Sequence, residues 1–162
     1  METKKPTLSD LENVIPYKWR VQSFSKFYPT AQCVAYIDAR DVMNLLDTVV
    51  GKENWQDDYK VVNNELFAGI GIFIGGNWIW KWDVGTESQT EKEKGLVSDS
   101  FKRAAVKWGV GRFLYTLGIK KVKTNGKKGE SDSADKTTLK YPQVIDNQGK
   151  IVYDISTHVN GI

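Results

Sequence analysis

The chain has a single cysteine, Cys33, and a single histidine, His158, near its C-terminal end. One thiol excludes an intramolecular disulfide framework, and one Cys with one His cannot build a Cys/His zinc centre. A Ser-His-Asp catalytic arrangement would have to recruit His158, and no nucleophile elbow lies near it. No apolar run approaches the ~20 residues of a membrane span. The longest, LFAGIGIFIGG, is short and rich in glycine. No basic segment leading into an apolar stretch opens the sequence, so the expectation is a reducing, cytoplasmic setting without membrane contact. The phosphate-binding pattern G-x-x-x-x-G-K-[ST] is also missing, and GVGRF at 109–113 lacks the preceding strand of a dinucleotide fingerprint. No bound cofactor is expected.

What is present is a globular composition: 162 residues, 40% hydrophobic and 27% charged. That is enough chain for one well-packed core with additions. The net charge is only +3, but it is unevenly spread. Residues 88–128 carry eleven Lys/Arg against three acids, whereas the remaining chain has twelve against seventeen. A basic segment on an acidic body is either the footprint of a surface that meets a polyanion or a plain solvated basic face.

Periodicity gives the elements. LSDLENVIPY reads as a short helix with Ser9 as its cap and Glu12 three residues on. YKWRVQSF alternates as a strand, and Cys33 to Ile37 reads as another. Val42, Leu45, Leu46, Val49 and Val50 recur at helical spacing, with Asp38 as cap and Gly51 as stop. WQDDYKVV, LFAGIGIFI and WIWKW, separated by NNE and GGN, predict a three-stranded antiparallel meander. The side of the central strand bearing Gly69 and Gly71 offers room for close approach, and a helix is expected there. That helix is VSDSFKRAAVKW, whose Val97, Phe101, Ala104, Ala105 and Trp108 fall within about 100° of one another. Lys102 lies beyond one edge of this stripe, Arg103 nearly opposite it, and Lys107 one turn after Arg103. Gly109 ends the helix and RFLYTLG adds a shorter one.

The resulting fold class is α+β, a twisted antiparallel β-β-β meander packed against a long helix. The expected organisation is a core over 1–118 with residues 1–8 frayed, a basic flexible loop over 119–140, and a C-terminal hairpin over 141–162 that packs on or extends the core. The loop lysines read most simply as solubilising. The row Trp78, Trp80, Trp82 reads as packing rather than as a platform for stacked bases, although single-strand binders do use such platforms.

Three segments carry a family resemblance. YIDARDVMNLLDTVVGKENW (36–55), DVGTES (83–88) and EKGLVSDSFKRAAVKWGVGRFLY (93–115) together resemble the Rad52-type single-strand annealing proteins, with the look of the bacteriophage Sak-like branch; YPQVIDNQGKIVYDIS resembles the tail of that branch. The likeness covers residues 10–118 with order and spacing kept. It implies a ring-forming domain that binds single-stranded DNA along a basic groove and anneals complementary strands without ATP, in phage recombination and repair. It also implies that the partners are single-stranded DNA, further copies of the chain, and a host or phage single-strand-binding protein or exonuclease. Carried over by motif, the DNA-contacting cations are Lys102 and Arg103. A third family cation falls on Val106, with Lys107 beside it. Lys94 matches a family lysine, and the family's basic residue at the start of the first long helix falls on Asp41, with Arg40 adjacent. Arg112 completes the candidate set from the basic segment. The reading from another class is a metal-dependent nuclease built on Asp38, Asp41, Asp57, Asp58 and Asp83; a passive single-strand binder is the third.

Overall fold

The computed structural model describes residues 4–86, 92–129 and 142–160, with the side chains of 92–94 also outside the description. The chain is α+β and divides into two compact units, one formed by residues 1–16 and 37–116, the other by 17–36 and 117–162.

The first unit is built on the expected meander, β3 (Trp55–Val62), β4 (Glu65–Ile74) and β5 (Asn77–Val84), with β4 in the centre. Two-residue turns set its register: Asn63 and Asn64 have φ of 50° and 63°, and Gly75 and Gly76 have 58° and 86°. Positive φ at both central positions is what a type I′ hairpin turn demands, and Asn and Gly reach it at least cost. Val62 therefore faces Glu65, and Ile74 faces Asn77.

Helix α1 (Ala39–Val50) starts and stops where its sequence says. The Asp38 carboxylate accepts from the Arg40 and Asp41 N–H groups at 2.8 and 3.1 Å, Asp41 Oδ2 accepts from the Asp38 N–H at 2.8 Å, and Gly51 terminates the helix at φ 90°. This reciprocal box satisfies donors that a helix start otherwise leaves unpaired. The N-terminal turn, by contrast, is a 3₁₀ segment over Leu8–Glu12 boxed by Thr7 and Asp10, not by Ser9 and Glu12, so the cap lies two residues earlier than the sequence suggests.

Helix α2 (Lys92–Lys107, 16 residues) packs on the meander, though not on the predicted side. Its Phe101 lies 6.3 Å from Trp55, which shares a face with Ile72, Ile70 and Ala68 of β4. All three β4 residues are buried, as are Phe101, Ala104 and Ala105. The Trp108 indole N–H donates to the Ile70 carbonyl at 2.9 Å and pins the helix end. Val97, expected in the stripe, is 43% exposed, and Ser100 takes a buried place instead. The glycine side is covered by the tryptophans of β5: a Cβ on Gly69 would meet the Trp82 ring at 2.6 Å and one on Gly71 the Trp80 ring at 2.7 Å. Trp80 and Trp82 stack at 5.6 Å. The glycines leave room for indole rings, and the helix takes the aliphatic face, where there is more apolar area to bury.

The second unit joins β1 (Lys18–Phe24), β2 (Thr30–Tyr36) and β6 (Ile119–Lys123) into an antiparallel sheet of order β1-β2-β6. Strand β6 lies where a loop was expected: Lys123 pairs with Thr30 and Ile119 with Val34. Its lysine content hid it, since only Val122 is buried. One sheet face holds the core of Trp19, Ala31, Cys33, Val122 and Val144, with Val152, Ile155 and Val159 packed against it. The C-terminal segment makes two isolated bridges, Val144 to Thr124 and Ile145 to Ile151 around Gly149, and then forms α3 (Ile155–Val159), which no hairpin reading anticipated. Trp19 donates its indole N–H to Asn160 Oδ1 at 2.9 Å, tying that helix to β1. Burial pushes the Cys33 thiol above its usual range, so it is inert packing.

Candidate nucleic-acid interface

The buried stripe of α2 fixes which of its cations face outward. Arg103 and Lys107 are exposed one turn apart, and Lys102 is half-buried at the flank of the stripe. The two exposed cations have defined surroundings.

Arg103 is held at its base. Its Nε–H donates to Asp99 Oδ2 at 2.9 Å and an Nη2–H to Thr86 Oγ1 at 3.2 Å, while the Thr86 N–H donates to the same Asp99 oxygen at 2.9 Å. A guanidinium carries five N–H donors. Asp99 and Thr86 take two, and 44% of the side chain stays exposed, so donors remain to meet an anion. Burial raises the Asp99 carboxyl, but the Thr86 N–H and the Arg103 guanidinium outweigh it and hold the group below the usual aspartate range. The hydrogen bond to Asp99 correspondingly holds the Arg103 proton more tightly than usual.

The C-terminal end of α2 gathers three more cations. Lys107 donates from Nζ to the Trp82 carbonyl; Lys81 Nζ donates to the Lys107 carbonyl at 3.2 Å while lying 4.5 Å over the Trp108 ring. Arg112 folds back, with Nε on the Val106 carbonyl at 2.9 Å, Nη2 on the Lys107 carbonyl at 3.0 Å and Nη1 on Glu12 Oε1 at 3.1 Å. Cations at this end satisfy carbonyls the helix leaves open and offset the negative end of its dipole. Arg112, a sequence candidate for strand contact, is thus a cap and a tether, exposed but occupied. Lys81 escaped the sequence reading. The available signal was its alternation in WIWKWDV, which places it on the Ile79 side, toward α2, and away from the tryptophans.

The other candidates stand apart. Arg40 is exposed in the first turn of α1, and its backbone N–H serves the Asp38 cap. Asp41, where the sequence resemblance leads one to expect a basic residue, is used as the return arm of the capping box. Lys94 lies in α2, but its side chain is outside the described residues. Of the Asp cluster, Asp38 and Asp41 cap α1, and Asp57 accepts from the Tyr59 hydroxyl at 3.0 Å. Burial, then that bond, pushes the Tyr59 phenol well up. Among the described residues, no three of His, Cys, Asp and Glu come together as a metal-holding group.

The segment that carries β5, α2 and the Lys81–Arg103–Lys107–Arg112 set lies within the stretch that a family matches. Residues 70–137 match the Rad52/22 family of double-strand break repair proteins. Two curated proteins named single-stranded DNA-binding protein DdrA are similar to the chain. The one from Deinococcus radiodurans is 30% identical over 101 residues, 61% of this chain and 48% of its own length. The one from Deinococcus deserti is 31% identical over 114 residues, 69% of this chain and 56% of its own. The chain therefore spans about half the length of these relatives. No solved structure matches. The Rad52/22 likeness accords with the α+β fold and antiparallel sheets described above. No helix among the described residues is long and apolar enough to cross a membrane.

Proposed function

We propose that this chain binds single-stranded DNA through the outer face and C-terminal end of α2 and anneals complementary strands without ATP. It does so as a ring-forming, phage-type member of the Rad52-like annealing proteins. The observation that carries the reading is the fixed cation row Arg103, Lys107 and Lys81 on and beside one helix, in the segment matched by the Rad52/22 family. The single-strand binding named for the two similar proteins supports it.

The chemistry fits annealing rather than sequence reading. Lysine and arginine aimed at phosphates hold a backbone and leave base edges for a second strand. Each phosphate neutralised on a single strand contributes about −0.7 to the slope of log K against log salt, so binding weakens steeply with ionic strength. In this reading Lys102, Arg103 and Lys107 contact the strand, Arg40 and Lys94 extend the track, and Arg112 holds the helix end that presents it. Unpaired edges of the meander serve neighbour-to-neighbour pairing in the ring.

The test is incubation with labelled complementary oligonucleotides and Mg²⁺. Intact duplex formed faster than without protein supports annealing. Single strands bound but not paired reduce the protein to a passive binder, and shortened products make it a nuclease. Negative-stain microscopy with and without oligonucleotide tests the ring.

A further inference from the structure

Within DVGTES, Gly85 and Thr86 leave β5 pressed against α2. A Cβ on Gly85 would lie 2.9 Å from the Leu96 carbonyl oxygen and 3.0 Å from the Ser100 Cβ, and the Gly85 N–H donates to the Leu66 carbonyl at 2.9 Å. Glycine lets the backbone come this close to the helix. The next residue, Thr86, is exposed and is delivered beside Asp99 and Arg103.

Three hydrogen bonds close a ring there. The Thr86 Oγ1–H donates to Asp99 Oδ2 at 3.2 Å, the same Thr86 oxygen accepts from Arg103 Nη2 at 3.2 Å, and Arg103 Nε donates to Asp99 Oδ2 at 2.9 Å. The Thr86 N–H adds a fourth bond, also to Asp99 Oδ2, at 2.9 Å.

A guanidinium has two edges that suit an oxyanion. The side edge pairs Nε–H with the inner N–H of Nη2, and the end edge pairs the outward N–H groups of Nη1 and Nη2. Asp99 and Thr86 take both donors of the side edge of Arg103. Among the described residues nothing accepts from Nη1, so the end edge stays open. Asp99 meets the guanidinium through Nε alone. One bond would leave the plane free to tilt about it, and a second acceptor on the same edge fixes the plane. That acceptor is the hydroxyl of Thr86.

We infer that Thr86 is a positioning residue for strand binding: its hydroxyl fixes the plane of Arg103 so that the end edge faces outward as a two-donor fork for one phosphodiester. The inference rests on the strand contact proposed above for Arg103. The two unesterified oxygens of a phosphodiester match a pair of parallel N–H donors, which the point charge of a lysine does not offer. A fork held in advance gives up little side-chain freedom on binding. Thr86 acts through Arg103 and not on the strand, because its hydroxyl proton is committed to Asp99 and no donor is left for a phosphate.

The test uses the full chain and a labelled thirty-nucleotide oligo-dT, with fluorescence anisotropy at several salt concentrations and a thermal melt of each variant. Thr86→Val keeps the branched shape and the charge and removes only the hydroxyl. It should weaken binding about fivefold at fixed salt, the effect of losing one neutral hydrogen bond. Its salt slope should become shallower by up to about 0.7, as Arg103 no longer holds its phosphate. Thr86→Ser keeps the hydroxyl and should restore the binding and slope of the parent. In an Arg103→Ala background Thr86→Val should add nothing, the mark of two residues acting through one contact. Parent affinity and slope in Thr86→Val, with Arg103→Ala weakened, would overturn the positioning role and leave the α2 contact standing. An equal loss from Thr86→Val in the Arg103→Ala background, or a Thr86→Ser variant as weak as Thr86→Val, would overturn it too. A lowered melting temperature with an unaltered salt slope would make Thr86 structural only. Parent binding in Arg103→Ala would instead overturn the strand contact itself, and this inference with it.

Discussion

The Nε–H of Arg103 lies 2.9 Å from Oδ2 of Asp99, one turn earlier on α2, and both are tied to Thr86 beyond the end of β5. The pair is partly exposed, so its contribution to stability is small, a few tenths of a kcal/mol for an i,i+4 pair at a surface. Its larger effect is positional: it limits how far the guanidinium can swing from the helix.

Arg103→Ala should therefore lower single-strand affinity about tenfold at moderate salt, the size expected for removing one charge-assisted hydrogen bond to a phosphate. The salt slope should become shallower by about 0.7, with little change in melting temperature. Arg103→Lys should recover part of the affinity. Fluorescence anisotropy with an oligonucleotide, alongside thermal denaturation, separates the two effects.

The Asp99 carboxyl titrates below its usual range in the folded chain. A depressed folded-state value means a contribution present above the ordinary aspartate pKa of about 3.9 and lost as pH falls through the lower folded value. Asp99→Asn should be slightly less stable than the parent at pH 6, and the gap should close as pH falls from the ordinary aspartate value through the lower folded one. Urea midpoints measured across that range decide it.

Gly69→Ala places a methyl 2.6 Å from the Trp82 ring in the stacked pair above β4. The indole has to shift, and overpacking of this kind costs about 1–3 kcal/mol. Adding Trp82→Leu should restore part of the loss in a chemical denaturation series. Independent, additive costs would disprove the contact.

Arg112→Ala removes two donors from the carbonyls at the end of α2 and the tie to Glu12. Amide hydrogen exchange in the last turn of α2 should accelerate severalfold, whereas Glu12→Gln should change it much less. If Arg112→Ala cut DNA affinity without touching exchange, the residue would be a strand contact and not a cap.

The candidate site was legible where local chemistry decides it. Phe101, Ala104 and Ala105 share one side of a helix, so Arg103 and Lys107 had to face outward. The role of Arg112 was not legible, because its carbonyl partners come from a helix end and its acid from Glu12, a hundred residues earlier in the chain. Lys81 was hidden for the same reason: a strand pattern gives its side of the sheet, but not that the end of α2 lies above it.

By itself the sequence determined the meander with its Asn-Asn and Gly-Gly turns, the Asp38–Gly51 limits of α1 and the outward cations of α2, because turn conformation, capping and periodicity are local properties. Only the tertiary structure decided that α2 takes the isoleucine face while the tryptophans fill the glycine face, since alternation yields two faces and cannot say which neighbour covers each. It alone decided that Ile119–Lys123 is a strand, because a lysine-rich segment with one buried side chain is ordered by hydrogen bonds to β2, about ninety residues away in the chain.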